Sequence, residues 1–269
     1  MIKPGRIPWA FVAFVFSAFT PVTAAPQDKN AAMDAEIVFN TGLTYLREGR
    51  TEMALESFKK AISRDPKNAY FYKGLGIAYS QLADKCSAND SRCRLPKLTE
   101  AVAAARKALE LNPYYVDARN DLGTWLLRSG KREEGKRELL ASYEDPTNPT
   151  PEHSARNLGQ SYLEEKNPAQ AEVWFRTAIQ RNKNYADAYL SLADTLLAQN
   201  RIDEVIGQLE AGGKEIPDDP GMLLALGQAY HRAGRFSEAR SRWEKVAAKD
   251  PGGPAGRRAL ELLRTLQRQ

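Results

Sequence analysis

The sequence has 269 residues, with 39 Lys and Arg against 34 Asp and Glu, a formal net charge of +5, and 42% hydrophobic and 27% charged residues. That balance excludes an intrinsically disordered chain, and 15 prolines and 18 glycines are too few for a collagen-like or linker-like one. Two histidines and two cysteines leave little material for a metal centre or for a nucleophile paired with a base.

Residues 1–24 read as a secretory signal peptide. Lys3 and Arg6 form a basic start, Ile7–Phe19 is an uncharged and mostly apolar run, and Val22-Thr23-Ala24 is a small-residue cleavage pattern. Cleavage is expected between Ala24 and Ala25, which would leave a net charge of +3. The alternative is an uncleaved anchor, although the apolar run falls short of the roughly 20 residues that span a bilayer. No other segment is apolar enough to cross a membrane, so no transmembrane helix is expected after cleavage. No cysteine precedes Cys86, so the signal cannot end in a lipid-modified cysteine. Residues 25–34 are expected to be a flexible leader.

From there on the chain repeats. Thr41-Gly42-x-x-Tyr45, Leu75-Gly76-x-x-Tyr79, Leu122-Gly123-x-x-Leu126, Leu158-Gly159-x-x-Tyr162, Leu192-Ala193-x-x-Leu196 and Leu226-Gly227-x-x-Tyr230 place their small central residues at steps of 34, 47, 36, 34 and 34. A second motif follows most of them: Ala54-x3-Phe58-x2-Ala61, Ala101-x3-Ala105-x2-Ala108, Ala171-x3-Phe175-x2-Ala178 and Ala239-x3-Trp243. Pro66, Pro113, Pro217 and Pro251 sit where a helix must stop. This pattern resembles the tetratricopeptide repeat, a 34-residue helix–turn–helix unit. The expected fold is therefore all-α: a right-handed superhelix of six repeats within 35–251, at about 35–68, 69–115, 116–151, 152–185, 186–219 and 220–253. The glycines and alanines are expected to let paired helices approach, and the aromatics to fill the core.

Two steps exceed the period. A 13-residue insertion falls between Tyr79 and Ala101 and contains both cysteines. It is expected to protrude as a loop. The even cysteine count, short polar spacer and exported setting favour a Cys86–Cys93 disulfide over free thiols, contributing roughly 2.5 kcal/mol by loop entropy. The second excess lies in the proline-rich junction Asp145–Glu152, expected to be rigid and non-helical. At the end, residues 254–269 form an amphipathic capping helix with Ala259, Leu260, Leu262, Leu263 and Leu266 on one stripe. Its arginines are expected to complement the helix dipole and stay solvated.

The first helix of each repeat should line the concave side. One inward row is Leu46, Ser80, Leu127, Leu163, Leu197 and His231, in which Leu127, Leu163 and Leu197 are consecutive. A neighbouring polar row is Asn120, Thr124, Arg156, Gln160 and Asp194. Such a groove suits a peptide or helix with apolar anchors, its backbone held by amides. The competing reading is that the leucines brace adjacent helices. Lys73 stands where a carboxylate clamp would use a lysine, but Ile77 occupies the next inward turn, which argues against such a clamp.

Catalysis and nucleic-acid binding find little support. No phosphate loop, His-Glu-x-x-His or Gly-x-Ser-x-Gly is present, and charges alternate in sign along Lys131–Glu138. No cofactor or metal is expected, since a zinc site needs four ligands and His153 and His231 are distant in sequence. Repeats behind an export signal, with the segment Asp145-Pro-Thr-Asn-Pro-Thr-Pro-Glu-His-Ser-Ala-Arg-Asn-Leu-Gly159, resemble the pilotin (Tgl/PilF/PilW) family of type IV pilus assembly proteins. The resemblance implies a non-enzymatic periplasmic scaffold whose partner is a segment of an outer-membrane secretin. Pilotins of that family are typically lipoproteins. Without the signal cysteine, this chain is expected to be soluble in the periplasm or peripheral to the outer membrane. An adaptor of another envelope machine, for polysaccharide export or cell-wall synthesis, is the alternative; an enzyme or metal protein is a third.

Overall fold

The computed structural model describes residues 29–87 and 89–267, so the expected signal peptide and the first part of the leader lie outside the described residues. Among the described residues thirteen helices follow one another: α1 Lys29–Arg47, α2 Thr51–Arg64, α3 Ala69–Asp84, α4 Ser91–Leu111, α5 Val116–Arg128, α6 Arg132–Glu144, α7 Pro151–Glu164, α8 Pro168–Arg181, α9 Ala186–Ala198, α10 Ile202–Glu215, α11 Pro220–Arg232, α12 Phe236–Lys249 and α13 Pro254–Leu266. None of them is long and apolar enough to cross a membrane. Each odd helix up to α11 pairs with the even helix after it, which makes six hairpins, and α13 packs across α11 and α12 as a terminal cap.

The ends of the helices are set by a few side chains. Asn68, Asp90, Asn167 and Asp219 accept the N–H of Tyr70, Cys93, Gln170 and Met222, respectively, which answers donors the first turn leaves free. Pro151, Pro168, Pro220 and Pro254 open α7, α8, α11 and α13, where a missing N–H costs nothing. The turn inside a hairpin is nearly invariant. One residue takes a positive φ (Gly49, Gly130, Lys166, Asn200 or Gly234), and the next donates its N–H back to a carbonyl five residues earlier, as from Arg50 to Tyr45 and from Arg235 to Tyr230. Lys166 and Asn200 hold the conformation that glycine holds in the other three turns.

Within a hairpin, the small residue of the first motif lies under a large residue of the second. A Cβ on Gly159 would stand 2.5 Å from Phe175 Cε1, and one on Gly42 would stand 2.6 Å from Phe58 Cε1; Gly227 lies against Trp243 in the same way. Phe58, Phe175 and Trp243 are buried. Core continuity follows the stacking: α8 to α13 share one apolar cluster running from Phe175 through Leu192, Leu209 and Tyr230 to Leu266. Successive first helices also touch, α1 with α3, α5 with α7, α7 with α9 and α9 with α11. Second helices do not approach one another to the same degree among the described residues. The first helices therefore lie on the inner curve of the superhelix.

Two expectations are corrected. The insertion after Tyr79 is mostly helix rather than a protruding loop: α3 runs on to Asp84, and α4 begins at Ser91 and extends over 21 residues. Pro96 sits six residues into α4, where its missing N–H leaves only the carbonyl of Arg92 unanswered near the helix end. Only a short connection remains between the helices, and there Cys86 and Cys93 are paired with Cα atoms 5.9 Å apart. The leader expected over 25–34 is helical from Lys29, because α1 extends back to pack Ala35 beside Ala61 and Phe71, and Arg64 Nη1 donates to the Asp34 carbonyl at 3.0 Å.

Candidate functional site

The inner face is widest in chemistry where three repeats meet. A recess of about 360 Å³ opens between Lys73 on α3, Asp117, Asn120 and Asp121 on α5, and His153 and Ser154 on α7. Its floor is a hydrogen-bonded chain. Ser154 Oγ donates to Ser142 Oγ at 2.9 Å and lies 3.1 Å from Asn120 Oδ1, while Asn148 Nδ2 donates to the Ser142 carbonyl at 2.6 Å. Asn157 Nδ2 reaches both Asn120 Oδ1 and Thr124 Oγ1 at 3.2 Å. The proline-rich junction supplies part of this wall: Asn148 Oδ1 accepts the Thr150 N–H, which fixes the loop that α7 emerges from.

Charge in the recess is uneven. Lys73 Nζ pairs with Asp117 Oδ2 at 3.4 Å and stands 5.4 Å from the centre of the Tyr115 ring. Asp121 is half-buried, and its Oδ2 is closed off from solvent without a hydrogen-bond partner. Burial pushes the Asp121 carboxyl up to about 6; the Lys73 ammonium opposes that rise and Asp117 adds to it. His153 stacks on Tyr185 with ring centres 4.9 Å apart at the far rim.

The structure brings some of the expected groove residues together and separates others. Asn120 and Thr124 share Asn157, as described, and Arg156 Nε donates to Ser191 Oγ at 3.4 Å on the next repeat. Gln160 and Asp194 are exposed. Leu127, Leu163 and Leu197 are all half-buried. Leu127 Cγ lies directly over Gly135, where a Cβ would stand 2.8 Å away, so it closes its own hairpin. Leu163 and Leu197 pack against the shared core of α8 to α13. Leu197 also lines a second recess, of about 270 Å³, with His231, Trp243 and Leu262 of the cap. Of the residues lining the polar recess, Asn120 alone belongs to an expected row, and the acidic pair Asp117 and Asp121 belongs to neither. They lie six and two positions before Gly123, and the only advance signal was an acidic pair four residues apart on one helix.

No group of three or more His, Cys, Asp or Glu among the described residues is arranged to hold a metal ion. What the inner face offers is a run of amides, hydroxyls and charges over α3, α5 and α7 that continues into half-buried leucines toward α11. Chemically, such a surface offers hydrogen-bonding edges and charge beside half-buried apolar side chains.

Family models described as tetratricopeptide repeat match residues 162–222 and 223–255, and one described as TPR repeat matches 34–82. The chain is 30% identical over 168 residues to the type IV pilus assembly protein PilF of Pseudomonas aeruginosa, covering 62% of this chain and 61% of that protein. It is 24% identical over 224 residues to a CTR9 homolog of Arabidopsis thaliana, covering 81% of this chain and 19% of that protein. These matches span less than two thirds of either relative's own length. Among solved structures, Pseudomonas aeruginosa PilF superposes with a TM-score of 0.61 at 22% identity, covering 86% of this chain and 98% of that one. PilW, described as a widely conserved type IV pilus biogenesis factor, superposes with a TM-score of 0.62 at 20% identity, covering 84% and 98%. At those identities the superpositions speak for the fold alone.

Proposed function

The chain belongs to the tetratricopeptide repeat family, and on that premise we propose that it is a non-enzymatic scaffold holding an extended peptide or helix of a protein partner against its first helices. The observation that carries the proposal is the recess between α3, α5 and α7, where three consecutive repeats contribute polar side chains to one concave site. Asn120, Thr124 and Arg156 are held in place by neighbours, so they present fixed hydrogen-bonding edges at little cost in side-chain entropy. Gln160 and Asp194 extend the polar strip, and Leu127, Leu163 and Leu197 supply its apolar flank.

The setting we propose is the periplasm, in the assembly of a type IV pilus, with a segment of an outer-membrane secretin as the partner. The signal-like pattern of residues 1–24 and the Cys86–Cys93 pair support export, and the similarity to PilF supports the pilus role. Deletion of the gene tests this directly. Loss of secretin multimers and of surface pili is expected, with capture of the secretin on the purified protein. Unchanged multimers and normal piliation would reject the pilus role, and capture of a polysaccharide-export or cell-wall component would point to another envelope machine.

A further inference from the structure

The recess between α3, α5 and α7 contains one polar atom that its surroundings leave unanswered. Ser142, Asn148, Ser154, Asn120 and Asn157 satisfy one another. Asp117 has Lys73. Asp121 Oδ2 is buried with no donor, and no other hydrogen bond or ion pair ties the carboxylate down. Oδ1 is not closed off in this way, so the carboxylate is reached from the recess through Oδ1. A buried carboxylate without a donor pays a desolvation penalty that a donor arriving from outside would relieve.

The charge balance selects among donors. Two carboxylates, Asp117 and Asp121, face a single ammonium, Lys73, which is already engaged by Asp117 and the Tyr115 ring. The site therefore holds an excess negative charge when Asp121 is ionised, which favours a cationic donor over a hydroxyl or amide and disfavours an anion. Its volume of about 360 Å³ is an order of magnitude above the roughly 30 Å³ of a water molecule, room for a long side chain. The recess also lies on the face formed by the first helices, where an extended partner would run.

We propose that this recess receives a lysine or arginine side chain of the partner, with the Asp121 carboxylate as its anchor and Asp117 as a second acceptor. The inference rests on the groove reading above and specifies what that groove selects. A basic residue entering here would fix the register of the bound segment, because this recess sets two carboxylates, Asp117 and Asp121, side by side, whereas the other carboxylate of the strip, Asp194, stands singly and exposed.

Selection from a displayed library of random twelve-residue peptides tests it on the purified protein and on its Asp121→Asn variant, whose helical circular dichroism is checked first. The expected result is enrichment of Lys or Arg at one peptide position on the parent protein, absent on Asp121→Asn. Synthetic versions of the selected peptides should bind the variant about tenfold more weakly. Peptides that bind without a basic position, or that bind Asp121→Asn as tightly, would overturn this inference and leave the groove intact as a binding surface. Recovery of no peptide, or of peptides that still bind after Asn120→Ala and Arg156→Ala together, would overturn the groove and the inference alike.

Discussion

Replacing Asp121 by Asn should make the protein more stable at neutral pH and leave its stability nearly unchanged in acid. The carboxyl is raised from an ordinary 3.8 to about 6, chiefly by burial. A difference of that size corresponds to about 3 kcal/mol between the protonated and ionised forms in the folded chain. The raised value fixes the direction. Between pH 3.8 and about 6 the folded protein retains a proton that the unfolded chain releases, so this residue's contribution to stability is greatest in acid and falls as pH rises through that window. Asn is close in shape and never charges. The titratable groups facing it across the recess, Lys73, Asp117 and His153, are the same in both proteins. Urea unfolding followed by circular dichroism at pH 3.5 and pH 7.5 therefore reads the effect as a double difference, in which the acid sensitivity of carboxylates remote from the recess cancels and Asp117, coupled to Asp121, is the neighbour that does not. The Asn variant should gain about 1–3 kcal/mol relative to the parent on going from pH 3.5 to 7.5, with relaxation around the ionised carboxylate accounting for the lower figure. A difference that does not change with pH would show that Asp121 is not buried as a charge, and the selectivity argued for the recess would lose its basis.

Glu172 should behave in the opposite sense. It accepts from Arg201 at 2.6 Å and Arg176 at 2.8 Å, and these hydrogen bonds, that from Arg201 foremost, hold its carboxyl below the usual 4.5. Glu172→Gln is expected to cost about 1 kcal/mol at pH 7, a cost that shrinks as pH falls below 4.5, read from the same unfolding curves. Gly159→Leu drives a side chain into the Phe175 ring and should lower stability by about 1–3 kcal/mol; an unchanged thermal midpoint would contradict the hairpin register. Reduction of the exported protein should lower stability by about 2.5 kcal/mol through release of the Cys86–Cys93 loop, and two thiols that label before reduction would refute the bond.

The repeat architecture was legible because its signature describes contacts inside a hairpin. Gly42 and Phe58, Gly159 and Phe175, and Gly227 and Trp243 each mark the same close approach of two helices, a requirement internal to the hairpin and independent of what the protein binds. The insertion was misread for a local reason. A proline, two cysteines and a polar stretch look like a loop, yet Leu98 extends the buried alanine face of Ala101, Ala105 and Ala108 back by one turn, and that burial outweighs the one backbone bond Pro96 removes. Asp121 was not legible at all. Whether the residue two positions before the central glycine faces the groove or the next helix depends on how far successive first helices stand apart, and spacing along one chain carries no information about that distance.

That distance also explains why the polar recess sits where it does. Among the described residues, successive first helices touch along the stack, but α3 and α5 do not approach as closely as their neighbours. Their seam is crossed by long side chains instead: Lys73 reaches Asp117 at 3.4 Å, while Arg128 donates to Ser80 at 2.6 Å and pairs with Asp84. The buried Trp125 ring of α5 fills the same seam against Gly76 of α3, and these polar chains run beside it. In the same repeat, α5 and α6 approach where Gly123 and Gly135 face each other across the hairpin, neither carrying a Cβ. The third repeat, like the second and fifth, carries no aromatic in its second motif, and at the third the inner face becomes polar. The polar recess therefore sits on a first helix whose hairpin is closed by Leu139 rather than by a ring, and there Asp121 Oδ2 is closed off without a hydrogen-bond partner.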